Sequence, residues 1–127
     1  MSFREELPAN CPPPDAGEIS APLVVFRAVR SLPPTEADFD SLRKNNPKGP
    51  IPAGITECQM RGLSVFTRKK DCEARVLKLP RYKNHSLCRV QLGQGAGKIQ
   101  QTFAPSHHTW WPFASFNILA HCVEESS

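Results

Sequence analysis

The side chains best suited to chemistry lie together in residues 106–111 (SHHTWW), which hold half of the four histidines and both tryptophans. Imidazole titrates near neutral pH and moves protons, while indole offers a flat face for stacking. Adjacent side chains on an extended backbone point to opposite sides, so we expect one tryptophan in the core and the other on a surface. The segment predicts catalytic roles for His107 and His108 and ligand-binding roles for Trp110 and Trp111.

A structural interpretation of the same segment stays open. Both tryptophans would then pin a proline-flanked loop to the core, and the histidines would have no role. No metal site is predicted, because neighbouring pairs such as His107-His108 and His121-Cys122 direct their side chains away from a common ion.

Two arginines and a serine form a second group of candidates, on or beside two predicted strands. Arg27 interrupts the apolar run 23–29 (LVVFRAV), and Arg30 closes it. A buried guanidinium needs partners for its five N–H groups, so Arg27 indicates either a structural ion pair or an anion clamp. Ser64 lies on the short strand 63–66 (LSVF), where a solvent-facing position is the simpler interpretation. We predict that Arg27, Arg30 and Ser64 bind ligand.

The glycine-rich residues 93–98 (GQGAGK) do not form a phosphate-binding P-loop. Three residues separate Gly93 from Gly97, and neither Ser nor Thr follows Lys98. A P-loop needs four intervening residues and a helix after the lysine, whereas the next segment has the pattern of a strand. The sequence therefore predicts a strand-to-strand turn.

Charge and cysteine content narrow the class of protein. The 127 residues carry a formal net charge of +4, which permits a phosphate-bearing partner but is small for a dedicated nucleic-acid binder. Five cysteines without a CxxC pair suggest a reducing compartment, where they act as small core hydrophobes. Because no secretory signal and no long apolar run occurs, we predict a cytoplasmic protein without membrane contact.

The element order predicts one α+β domain with a mixed or mostly antiparallel sheet of about five strands and two short helices. Residues 1–21 are expected to form a proline-bearing, loose N-terminal lead-in, and residues 22–127 a single compact domain. The expected strands are 23–29, 63–66, 87–92, 98–103 and 117–123, the expected helices are 36–44 and 68–79, and the expected loops are 45–54 and 105–112.

The arginine-bearing first strand, followed by residues 62–66 (GLSVF) and a helix directly after them, resembles the opening half of small ADP-ribosyltransferase-like domains. The resemblance implies that Arg27 and Ser64 hold the cofactor NAD. It also implies that a glutamate on a later strand assists the transfer of ADP-ribose.

That third residue departs from the family pattern. The late acidic residues are Glu124 and Glu125, close to the end of the sequence. Under this resemblance, Gln100 or His107 has to take the role of the glutamate.

Three functions from different classes remain open. The first is binding of a phosphate-bearing ligand, a nucleotide or RNA, in a cleft lined by Arg27, Arg30 and residues 107–111. The second is a toxin-like, NAD-dependent ADP-ribosyltransferase. The third is a non-enzymatic partner protein, such as an inhibitor or antitoxin-like subunit, whose loop 45–54 and tryptophan-bearing loop dock another chain. The first two require the histidine segment to fold against the arginine-bearing strand and leave a cleft.

Overall fold

Seven strands form the sheet of the molecule, a computed structural model in which residues 2–124 are described. In chain order they are β1 Gly17–Glu18, β2 Leu23–Val29, β3 Leu63–Phe66, β4 Ser86–Leu92, β5 Gly97–Gln101, β6 His107–Pro112 and β7 Cys122–Glu124. Neighbours pair antiparallel in the order β1-β5-β6-β3-β2-β4-β7. A mostly antiparallel α+β domain is thus confirmed in outline, but the expected number of about five strands was wrong. The edge strands β1 and β7 are too short to show an alternating pattern in sequence.

The central strands arise from the strongest sequence patterns. The β-branched and aromatic run of β2 pairs over all seven residues with the alternating segment of β4. The bounds predicted for β2 and β3 are confirmed to the residue. These two strands carry Arg27 and Ser64, so the fold brings two candidate residues onto adjacent strands.

Helices are few and short in the part of the chain that the structure describes. No helix within residues 2–124 has the length and apolar character needed to cross a membrane. The helical segments are α1 Leu42–Asn45, α2 Glu57–Met60, α3 Lys69–Cys72 with its π-helical continuation Glu73–Leu77, and the 3₁₀ turns Glu36–Phe39, Pro80–Tyr82 and Leu119–His121.

The helix expected over residues 36–44 is interrupted between its 3₁₀ turn and α1. The interruption follows from Arg27, whose side chain donates hydrogen bonds to the backbone carbonyls of Asp38 and Asp40. Carbonyls turned toward Arg27 do not accept along a helix axis, and Asp40 adopts an extended backbone instead. The predicted start is confirmed, because the Asp38 carboxylate accepts from the Thr35 amide at 2.8 Å.

Two expectations near the end of the chain were wrong. Residues 107–112, expected within a loop, form strand β6, since Thr and Trp favour strands and Pro112 occupies the final position of the strand. Residues 117–123, expected as one strand, contain a 3₁₀ turn before β7. Apolar residues occupy both alternating sets there, so their pattern did not distinguish a turn from a strand.

The two faces of the sheet bury separate clusters. The larger core packs residues of one face with Phe39 and Ile118, and a smaller cluster packs Phe66 and Leu87 of the other face against Cys72 of α3. The fully buried sheet residues of the larger core include Val25, Leu63, Val65, Val90 and Trp110. The open part of the second face, beside α3, is where the cavity described below lies.

The N-terminal segment lies against the domain instead of standing apart from it. Strand β1 pairs with β5, and Phe3 forms a bridge to Phe113. Arg4 makes an ion pair with Glu36 at 2.8 Å and also donates to the Phe39 carbonyl. The segment that we expected to be a loose lead-in therefore helps to fix the 3₁₀ turn beside the site.

A disulfide joins Cys11 to Cys58, across 47 residues of sequence. The expectation that the cysteines act mainly as core hydrophobes was wrong for this pair, although Cys72 and Cys88 are buried free thiols. No spacing rule identifies such a pair, because the two residues meet only through the tertiary fold.

Removing this disulfide is expected to lower the free energy of unfolding by about 2–4 kcal/mol, because it constrains a long loop of the unfolded chain. The measurement is the urea midpoint of the Cys11→Ser/Cys58→Ser double variant against the parent chain. Cys122→Ser, which leaves the disulfide intact, is the control. An unchanged midpoint, or five reactive thiols in the unreduced denatured protein, would contradict the pairing.

Candidate functional site

The site forms where the sheet opens between its two central strands. Within the described chain, β2 and β3 pair at one register position, Phe26 with Phe66. Beyond it the strands separate, and the side chain of Arg27 enters the gap. The opening places backbone carbonyls of β3 and of the 3₁₀ turn within reach of one guanidinium.

Arg27 is held by three carbonyls, one for each of its nitrogens. Nε donates to Asp38 at 3.0 Å, Nη1 to Ser64 at 2.8 Å, and Nη2 to Asp40 at 3.4 Å. Its guanidinium carbon also lies 5.8 Å from the centre of the Phe39 ring. Burial lowers the pKa of Arg27 below its usual value, but a guanidinium stays charged at neutral pH. Two of its five N–H groups remain without a carbonyl partner among the described residues.

Ser64 and His107 form a hydrogen-bonded pair on adjacent strands. The Ser64 hydroxyl lies 2.6 Å from Nε2 of His107. On the other side of the ring, Nδ1 lies 3.1 Å from the Thr102 carbonyl and 3.0 Å from the Thr102 hydroxyl. A carbonyl only accepts, so we assign the proton to Nδ1, which leaves Nε2 to accept from the serine hydroxyl. This is the arrangement in which a neutral histidine acts as a general base.

The surroundings of His107 favour its neutral form. Burial lowers the pKa of His107 below its usual 6.5, the hydrogen bond to the Thr102 carbonyl opposes this, and electrostatic repulsion from His108 and Arg75 lowers it further. The ring packs edge-on against Phe66 at 5.0 Å and lies 5.3 Å from Phe103. At neutral pH the imidazole is therefore a free base with a fixed orientation.

The position of His107 is set by a short anchored turn before β6. The hydroxyl of Ser106 donates to the Asp71 carboxylate of α3 at 2.6 Å, and its carbonyl accepts from the Thr67 amide at 2.9 Å. The Thr102 hydroxyl also bonds the Thr109 hydroxyl at 2.9 Å. These contacts tie the histidine-bearing strand to β5 and to α3. They therefore fix the backbone from which the imidazole of His107 projects.

A cavity of about 400 Å³ opens over these groups, which is within the size range of small-molecule sites. Its wall combines apolar surface with several charged side chains. Its lining residues include Arg27, Arg30, Ser64, His107, Phe103, Arg75, Arg81, Tyr82, His85, Asp38 and Asp40.

The structure brings together half of the sequence-predicted site. Arg27, Arg30, Ser64 and His107 all line the cavity. Arg30 lies at its rim, with 58% of its side chain exposed, and is 3.8 Å from the Asp38 carboxylate. The geometric expectation that the histidine segment folds against the arginine-bearing strand and leaves a cleft is confirmed for these four residues.

The other predicted residues lie away from the cavity. Trp110 and Trp111 are 0% and 1% exposed, with their indole N–H groups donating to Ala96 and Cys58. The expectation that one tryptophan lines a surface was wrong, because α2 covers the face of β6 on which Trp111 lies. The exposed tryptophan surface assumed for a docking protein is therefore not present.

His108 and Gln100 also do not line the cavity. His108 projects to the opposite face of β6 from His107, and its Nδ1 lies 3.0 Å from the Ser106 carbonyl. Gln100 lies on β5 and pairs in register with Thr109 of β6. Of the two substitutes for the missing glutamate, His107 is the one that contacts Ser64.

Of the two late acidic residues, Glu124 lies on β7 at the edge of the sheet and pairs in register with Cys88 of β4. Glu125 lies outside the described residues. Among residues 2–124, no three His, Cys, Asp or Glu side chains come together as a metal site would need.

Sequence reasoning missed Phe103, Arg75, Arg81 and Tyr82 as cavity residues. Phe103 has a positive φ of 64° and is 61% exposed, an unusual conformation for a bulky side chain. No local pattern predicts it. The cluster of basic residues between 68 and 83 was visible in the sequence and would have indicated the two arginines.

In comparisons with known proteins, the chain matches no family model, no curated protein and no solved structure. The function is therefore argued from the chemistry of the site.

Proposed function

We propose that the cavity between β2, β3 and β6 binds a phosphate-bearing nucleotide, that this nucleotide is NAD, and that the site transfers its ADP-ribose to an acceptor. The observation that supports this most is the convergence of Arg27, Ser64 and His107 on one cavity. They are far apart in sequence, yet Arg27 bonds the Ser64 carbonyl and Ser64 bonds His107. The resemblance to ADP-ribosyltransferase-like domains singled out Arg27 and Ser64, and His107 is one of the two substitutes for the glutamate of that pattern.

The cationic groups of the cavity suit the diphosphate of NAD. All four arginines Arg27, Arg30, Arg75 and Arg81 line the cavity. Arg27 has two N–H groups that donate to no carbonyl among the described residues. Guanidinium groups bind phosphate oxygens with paired, charge-assisted hydrogen bonds. The exposed ring of Phe103 offers an apolar face for one of the aromatic rings of the ligand.

The neutral His107 provides the proton acceptor for the transfer. The bond between the ribose C1′ and nicotinamide breaks, and its electron pair leaves with nicotinamide. A nucleophile of the acceptor forms the new bond to C1′, and its proton passes to Nε2 of His107, directly or through the Ser64 hydroxyl. The histidine then takes the role that the resemblance gives to a glutamate.

The pH dependence of the reaction follows from the lowered pKa of His107. The neutral form is the active base, so the rate of nicotinamide release is expected to stay on its plateau below pH 6.5. It then falls as the pH drops through the lowered pKa. The measurement is a pH–rate profile between the acid limit of folding and pH 8. An acid limb centred above pH 6.5 would contradict the role of this imidazole.

The direct test is to incubate the purified chain with NAD and to follow nicotinamide by chromatography and bound nucleotide by calorimetry. We expect binding and release in the parent chain. Ser64→Ala is expected to bind NAD and release nicotinamide slowly, while Lys48→Ala, at an exposed position that does not line the cavity, behaves as the parent. Binding of NAD, ADP and AMP without release would leave a non-catalytic nucleotide-binding protein, the first function that the sequence suggested. No binding of any nucleotide would refute the proposal.

The Cys11–Cys58 disulfide bears on the cellular compartment of the protein. The sequence-based prediction of a cytoplasmic protein remains untested, and disulfides persist mainly in oxidising compartments. Mass measurement of thiol-alkylated protein taken from its own cells, without reductant, decides between the two. Alkylation of Cys11 and Cys58 would support the cytoplasm.

A further inference from the structure

Positive charge is concentrated in residues 68–83 of the chain. This segment holds seven Lys and Arg residues against Asp71 and Glu73, a net charge of +5, while the whole chain carries +4. The rest of the protein is therefore close to neutral. Although the overall charge is small, residues 68–83 are strongly basic. This segment contains α3, its π-helical continuation and the following 3₁₀ turn.

Six of the seven cations of this segment are exposed, and none of these six forms an ion pair with a carboxylate within residues 2–124. Buried or paired cations stabilise a fold, whereas exposed unpaired cations raise the local potential. The exposed cations of the segment are Arg68, Lys70, Arg75, Lys78, Arg81 and Lys83.

The basic segment leads into the cavity and meets aromatic rings there. Arg75 and Arg81 line the cavity, while Lys78 and Lys83 lie outside it. The Arg81 guanidinium lies 5.1 Å from the Tyr82 ring, and Tyr82 packs edge-on against His85. Phe103, on another side of the cavity, is 61% exposed. The rings of Tyr82 and Phe103 therefore line the same cavity as the positive charges of Arg75 and Arg81.

We infer that this basic surface, residues 68–83 together with Phe103, binds single-stranded nucleic acid. The cations extend beyond the cavity, since Lys78 and Lys83 lie outside it, so they suit a chain of phosphates better than a single nucleotide. Unpaired bases offer faces to Phe103 and Tyr82, which the stacked bases of a duplex do not. An acidic peptide would use the charges but leave the rings without partners.

The affinity for such a strand should depend steeply on salt. Each phosphate contact adds about −0.7 to the slope of log affinity against log salt for single strands. Three or more contacts along the segment give a slope of about −2 or steeper. Stacking on Phe103 adds a part of the affinity that salt changes little.

The test is fluorescence anisotropy of a labelled 12-nucleotide oligouridine, without NAD, between about 50 and about 200 mM salt. We expect Lys78→Glu and Lys83→Glu each to weaken binding roughly fivefold and to flatten the slope by about one phosphate contact. Lys48→Glu makes the same charge change at an exposed position outside residues 68–83 that does not line the cavity, and should leave both unchanged. Phe103→Ala should weaken binding at least about fivefold while keeping the slope.

Three results would overturn the inference. They are no binding at the lowest salt, equal loss of affinity with Lys48→Glu, or equal binding of a 12-residue polyglutamate peptide. Because Lys78 and Lys83 do not line the cavity, their variants should bind NAD as the parent does. Failure to bind the oligonucleotide therefore leaves the proposed NAD site untouched, and failure to bind NAD leaves this surface untouched.

Discussion

Nicotinamide release by the His107→Gln variant is expected to be at least about 100-fold slower than by the parent chain, with NAD binding nearly retained. A positioned general base contributes about 10²–10⁴-fold to a rate, and an amide cannot take up the proton. The substitution leaves the packing against Phe66 and the approach to Ser64 largely in place. The expected signature is therefore a fall in kcat with little change in KM.

His108→Gln is the matched control for this prediction. It makes the same chemical change on the neighbouring residue, whose side chain projects to the other face of β6 and does not line the cavity. Its kcat should equal that of the parent. Equal losses in both variants would show that the effect comes from disturbing β6, and full activity of His107→Gln would remove the general base from the mechanism.

The Arg27→Met variant is expected to lose about 3 kcal/mol or more of its free energy of unfolding, and to lose NAD binding. Methionine removes three hydrogen bonds, two to the partly buried carbonyls of Asp38 and Asp40 and one to the exposed carbonyl of Ser64. Each carbonyl left without a partner costs about 1–3 kcal/mol. The opening between β2 and β3 also loses the group that spans it.

Arg30→Met serves as the control, because the Arg30 side chain is 58% exposed and its ion pair lies at the rim. Its effect on the free energy of unfolding should stay below about 1 kcal/mol. Urea midpoints of the two variants make the comparison. Should Arg27→Met be as stable as Arg30→Met, Arg27 would not hold the sheet open. Arg27→Lys separates the roles, since it keeps the charge but not the three-carbonyl geometry.

The sequence indicated the strands of the site but not how they meet. The runs around Arg27 and Ser64 have unambiguous strand patterns, and their bounds were predicted correctly. That β6 lies beside β3, so that His107 faces Ser64, depends on strand order, which no local pattern contains. The same limit hid the Cys11–Cys58 disulfide.

Trp111 shows why residue type alone misplaces side chains. One tryptophan was expected in the core and the other at a surface, and Trp110 does enter the larger core. The surface expected for Trp111 is covered by α2, and its indole donates to the Cys58 carbonyl. Phe103 is the reverse case, an exposed aromatic ring in a turn without a sequence signal, set there by a backbone with positive φ.

The central claim, that NAD occupies the cavity at Ser64 and His107, is tested most directly by imidazole ¹⁵N resonances during a titration with NAD. The four histidines form a built-in comparison, since His85 and His107 line the cavity and His108 and His121 do not. We expect a saturating shift of both His107 nitrogens, with His108 and His121 unchanged. Saturating NAD that leaves the His107 resonances in place, or that shifts His121 alone, would contradict it.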